Sequence, residues 1–128
     1  MSGPARAGAL IYALDLEHLA IFYATILDMR RLVGDDEHVV LANADFQLIV
    51  HAIPPAYAEG IVIQSPPEPR EDTAIKLFFT VPSLASAADG MQQLGGRLFD
   101  GEWEGPGFRV RNGCDPEGNV LQLREPIG

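Results

Sequence analysis

The apolar residues of this chain fall into short strand-like runs and longer stretches with three- and four-residue steps, and the order repeats. Residues 9–14, Ala-Leu-Ile-Tyr-Ala-Leu, predict a short strand. Asp15 suits an N-cap, because its carboxylate can accept from the first open backbone N–H groups of a helix. Leu16, Leu19, Ala20, Tyr23, Ile26 and Leu27 then mark one apolar helix face. Strand-like pieces follow at 30–33, 38–42 and 46–53, separated by turn-forming Gly34-Asp35-Asp36 and Asn43-Ala44-Asp45. Pro54, Pro55, Pro66, Pro67 and Pro69 mark a stiff bridge, within which residues 60–64 predict one further short strand.

The second half repeats the pattern. Residues 73–81 are strongly β-prone, and Pro82 ends that run. Ser83 caps a helix with Leu84, Ala87, Ala88, Met91 and Leu94 inward, and Gly95-Gly96 closes it. Strands are expected near 97–100, 108–114 and 119–124, with residues 100–107 as a glycine-rich loop carrying Trp103. Each half therefore reads β-α-β-β-β. Superposing the two places Asp15-Leu16 on Ser83-Leu84 and Leu48-Ile49-Val50-His51 on Leu121-Gln122-Leu123-Arg124. One domain is expected, with a first module at about 8–53, the bridge at 54–72 and a second module at about 73–126.

Composition narrows the partners. Eighteen acidic residues against nine Lys and Arg give a formal net charge of −9. Phosphate-neutralising basic clusters are missing, so neither nucleic acid nor an anionic membrane surface is expected as a partner. No apolar run reaches the ~18 residues that a membrane-spanning helix needs. The opening residues lack the basic-then-apolar build of a secretory leader, so a cytoplasmic location is expected. The single cysteine, Cys114, rules out an intramolecular disulfide framework and a cysteine-rich zinc module. There is no nucleophile elbow, P-loop or dinucleotide fingerprint.

Two segments carry a family resemblance. Ala13-Leu14-Asp15-Leu16, followed by Phe22-Tyr23 and Ile26-Leu27, resembles the opening signature of the glyoxalase/bleomycin-resistance/dioxygenase superfamily, the vicinal oxygen chelate proteins. Asp115-Pro116-Glu117-Gly118-Asn119 and Leu121-Gln122-Leu123 resemble its closing signature. The resemblance implies an α+β fold in which two β-α-β-β-β modules form a curved mixed sheet around a ligand cavity, often completed in a homodimer. Metal-dependent members hold a cation at four strand positions, which correspond here to Gly8, Ile49, Lys76 and Gln122. Glycine and isoleucine offer no ligand, a protonated lysine repels cations and glutamine is a weak donor, so no metal cofactor is expected.

The expected function is binding of a small, partly apolar molecule with an anionic or polar end. Lys76, the sole lysine, either packs its stem and reaches water or places its amine against the ligand. Gln122 shares a strand face with Val120 and Arg124. Tyr12, Phe78 and Trp103 are candidate walls, and His51 is a candidate polar contact. Arg109 and Arg111 share one face of their strand, and either side is open to them. Cys114 reads as a small buried apolar residue. A metal-dependent lyase, isomerase or dioxygenase, with His51 and Gln122 converging on a cation, is the rival reading. A metal-free enzyme using Lys76 as base or imine nucleophile is a third.

Overall fold

Asp15 and Ser83 do the same local work at equivalent points of the two halves. The Asp15 carboxylate accepts from the His18 backbone N–H at 3.1 Å, and the Ser83 hydroxyl accepts from Ser86 N–H at 3.1 Å. Each satisfies an orphan donor and starts a helix where the preceding strand ends. The computed structural model describes residues 5–127; the chain start read above as lacking a leader falls partly on residues 1–4, outside them. The chain divides into two compact units, Met1–Val62 and Ile63–Gly128.

The first unit contains β1 (Gly8–Ala13), α1 (Leu16–Ile26), β2 (Arg30–Gly34), β3 (His38–Ala42), β4 (Gln47–Ala52) and a one-turn helix α2 (Pro55–Ala58). Its sheet runs β1-β4-β3-β2, with β1 parallel to β4 and the other pairs antiparallel. Leu19, Ala20, Phe22 and Tyr23 of α1 are buried, as are Val39, Leu41, Leu48 and Val50 on β3 and β4. Phe22 and Tyr23 meet edge to face at 5.1 Å between ring centres. Full burial of an aromatic or aliphatic side chain contributes about 1.5–3 kcal/mol.

The second unit contains β5 (Leu77–Thr80), α3 (Leu84–Gln93), β6 (Arg97–Gly105), β7 (Phe108–Cys114) and β8 (Val120–Pro126). Its sheet runs β5-β8-β7-β6, again with the first pair parallel and the rest antiparallel. Leu84, Ala87 and Met91 bury one face of α3, and Leu121 and Leu123 of β8 are buried with them. The α+β architecture of paired β-α-β-β-β units is thus present.

Three expected boundaries are corrected. Residues 60–64 form no strand. Pro55 instead starts α2, and Gly60 turns the chain at φ +90°, which leaves Val62 82 % exposed. The strand expected over 73–81 is shortened to Leu77–Thr80, because Asn119, just ahead of β8, is already bridged by Arg70. The expected loop at 100–107 is mostly strand: β6 continues to Gly105 across a register break between Leu98 and Glu102. Gly105 pairs with Phe108 around Pro106-Gly107, and the φ of +79° at Gly107 closes that tight hairpin. Trp103 therefore stands on a strand, opposite Val110.

The closing signature is a buried turn. The Asp115 carboxylate accepts from the backbone N–H of Glu117 at 2.8 Å and of Asn119 at 3.0 Å, and from the Asn119 amide at 2.8 Å. Gly118 adopts φ +86°, and a Cβ there would run into the Glu68 carbonyl. Those residue types build the β7–β8 connection.

Candidate functional site

Each sheet has one face under its helix, and alternation directs the remaining side chains to the opposite, open face. On the second sheet the parallel register puts Phe78 beside Gln122 and Thr80 beside Arg124. The antiparallel register puts Asn112 beside Gln122 and Val110 beside Arg124. Chemistry concentrates on Arg124. Its guanidinium carbon lies 3.8 Å from the centre of the Phe78 ring and 4.5 Å from that of Phe108. Its Nε donates to Gln122 Oε1 at 3.0 Å, and Gln122 Nε2 reaches Asn112 Oδ1 at 3.4 Å. Phe78 is nevertheless 57 % exposed, so this cluster is accessible. An arginine held between aromatic faces keeps its charge and offers its N–H edge outward.

Lys76 lies just outside β5, on the same parity as Phe78 and Thr80, and is exposed. Gln122 takes Arg124 and Asn112 as its side-chain hydrogen-bond partners. Trp103 is 47 % exposed on β6. Arg109 and Arg111 belong to the helix-side face, since Arg111 pairs in register with buried Leu123. Arg111 donates to the Phe99 carbonyl at 2.9 and 2.7 Å, and Arg109 Nε lies 3.6 Å from Glu125 Oε2. Glu125 Oε1 also accepts from Leu84 N–H at 2.8 Å, fixing the start of α3.

The open face of the first sheet carries Tyr12 on β1, His51 on β4 and His38 on β3, joined by the registers Tyr12–His51 and His38–His51. Tyr12 and His51 have ring centres 5.5 Å apart, and the His38 and His51 rings stack at 6.3 Å with 22° between planes. His51 Nδ1 is 2.8 Å from the Ala52 carbonyl, and His38 Nδ1 is 3.1 Å from Asp35 Oδ1. The backbone N–H groups of Glu37 and His38, at 2.8 and 2.9 Å, hold the Asp35 carboxyl below the usual carboxylate range. Cys114 is buried, and burial pushes its thiol up.

Arg124, Phe108, Asn112 and His38 are candidate site residues that the sequence pattern did not single out. A usable signal existed for one of them: Arg124 falls on His51 when the halves are superposed. The donor chemistry at the four metal-ligand positions does not fit a divalent cation. Gly8 and Ile49 have no donor, Lys76 is cationic, and the Gln122 amide is already bonded to Asn112 and Arg124. Among the described residues, no three His, Cys, Asp or Glu side chains gather as a metal site. No described helix is long and apolar enough to cross a membrane.

No protein-family model and no curated protein sequence matches the chain. Solved structures do. A glyoxalase/bleomycin resistance protein/dioxygenase family enzyme from Burkholderia phytofirmans superposes with a TM-score of 0.68 at 14% identity, covering 94% of this chain and 98% of that one. The bleomycin resistance determinant encoded on transposon Tn5 gives 0.62 at 20% identity, covering 98% and 100%. The fosfomycin resistance protein FosX from Mesorhizobium loti gives 0.64 at 12% identity, covering 99% and 95%. With both β-α-β-β-β units matched over nearly the whole chain, the protein has the glyoxalase/bleomycin-resistance fold.

Proposed function

We propose that the protein binds a small, partly apolar organic anion on the open face of its second sheet, with Arg124 as the anchor. One observation carries this reading. A guanidinium sits between two aromatic rings with its Nε committed to Gln122, and no other hydrogen bond or ion pair of the Arg124 side chain occurs among the described residues. The terminal N–H donors are thus free for a carboxylate, phosphonate or phosphate, which arginine recognises bidentately. Phe78, Phe108 and Trp103 supply apolar and stacking surface for the rest of the molecule. Gln122 and Asn112 orient the arginine. Lys76 strengthens the local positive field. The charge complementing the ligand comes from side chains, so binding requires no metal. Two structural neighbours are named for drug resistance, which supports a small molecule as the ligand. A cytoplasmic homodimer is the proposed working form.

A panel of small aromatic carboxylates and phosphonates, screened by thermal shift and followed by titration calorimetry, tests this reading. The expected outcome is a ligand whose affinity falls at least tenfold in Arg124→Ala and is partly restored in Arg124→Lys. Lys76→Ala should weaken binding less and mainly at low salt. Equal binding by Arg124→Ala, or no binding across the panel, overturns the proposal.

A further inference from the structure

The first module holds a histidine pair that the anion site does not use. His38 and His51 are direct cross-strand partners on β3 and β4. The neighbouring Ala52 N–H donates to the Glu37 carbonyl at 2.7 Å, so His38 and His51 occupy the intervening rung, where facing side chains come closest. A backbone carbonyl only accepts, so the 2.8 Å contact with Ala52 places the proton of neutral His51 on Nδ1. The Asp35 carboxylate, 3.1 Å from His38 Nδ1, does the same for His38. Both neutral imidazoles therefore present their Nε2 lone pairs, and neither Nε2 has a partner among the described residues.

One ring N–H tied to a carboxylate and the other to a backbone carbonyl is the arrangement that orients metal-binding histidines. Imidazole suits Zn²⁺, Ni²⁺ and Cu²⁺, with Zn–N distances near 2.0–2.1 Å. Two imidazoles sharing such an ion have ring centres about 5–6 Å apart, given those bond lengths. The observed 6.3 Å is slightly wider, so the two rings draw together when they share the ion. Access is open, since the His38 side chain is 39% exposed. We infer that His38 and His51 form a two-histidine site for a borderline divalent cation, bound through both Nε2 atoms and positioned by Asp35. No third His, Cys, Asp or Glu converges among the described residues, so water fills the remaining coordination positions. The pair is distinct from the four positions where relatives would hold a metal, and it lies in the other module from Arg124.

Zn²⁺ titration of untagged full-length protein by calorimetry, with histidine ¹⁵N shifts followed by NMR, tests the site. One Zn²⁺ per chain is expected, with the Nε2 resonances of His38 and His51 moving and those of His18 unmoved. His38→Ala and His51→Ala should each weaken Zn²⁺ at least tenfold. Asp35→Asn should weaken it about tenfold or more by loosening His38. His18→Ala and Arg124→Ala should leave it unchanged, so failure here is distinguishable from failure of the anion site. Circular dichroism verifies that each variant is folded, and the wild-type NMR arm needs no substitution. Absence of Zn²⁺ binding, shifts centred on His18, or binding that survives both histidine replacements overturns the inference.

Discussion

The two modules share a helix-side face and differ on the open face. Beneath α1 lie Val39, Leu41, Leu48 and Val50; on the corresponding side of the second sheet lie Leu121 and Leu123, and both sets are buried. On the open side, the rung Tyr12–His51 of the first module corresponds to Thr80–Arg124 of the second. One module has placed an imidazole where the other has a guanidinium. Packing constrains the covered face to apolar residues of fitting volume, whereas the open face is free to vary. Substitutions on the two faces should therefore separate cleanly into stability effects and binding effects.

The largest expected effect tests the shared face. Leu48→Ala and Leu121→Ala remove buried side chains at equivalent positions, and each should cost about 2–5 kcal/mol in urea unfolding. A cost below ~1 kcal/mol in one module alone would break the symmetry. The turns provide the next test. Asn43 closes the β3–β4 turn by accepting from Asp45 and Phe46 N–H at 2.9 and 3.0 Å, but it is exposed. Asp115 closes the β7–β8 turn from a buried position. Asp115→Ala should cost about 2–4 kcal/mol because it strands buried donors. Asn43→Ala should cost about 1 kcal/mol or less, since water replaces its carbonyl. Equal costs would mean that burial does not distinguish the turns.

The smallest effect concerns pH. Burial penalises the Cys114 thiolate and raises its pKa above that of the unfolded chain. Its contribution to stability is therefore complete below the unfolded thiol value near 8.5 and declines as pH rises beyond it. Wild type should lose stability above about pH 8.5 more steeply than Cys114→Ala. Parallel profiles would show that the thiol does not contribute to that slope.

Much of the fold was legible in the residues. Asp15 and Ser83 announced both helix starts, and the boundaries of β3 (His38–Ala42) and β7 (Phe108–Cys114) follow the apolar pattern. The misplaced boundaries share a cause. Residues 60–64 and 73–76 have strand-like composition but no strand partner, and composition cannot supply a neighbour. The site was legible in part. Phe78 and Gln122 do share a face, and the cation in contact with both is Arg124.

The sequence alone determined the duplicated β-α-β-β-β order, the capped helices, the covered apolar faces and the acidic charge. These are local or periodic properties, set within a few residues along the chain. Only the tertiary structure decided that Arg124 lies between Phe78 and Phe108, and that His51 stands opposite His38. Such contacts depend on the register between strands distant in sequence, where a shift of one residue would turn each side chain to the other face.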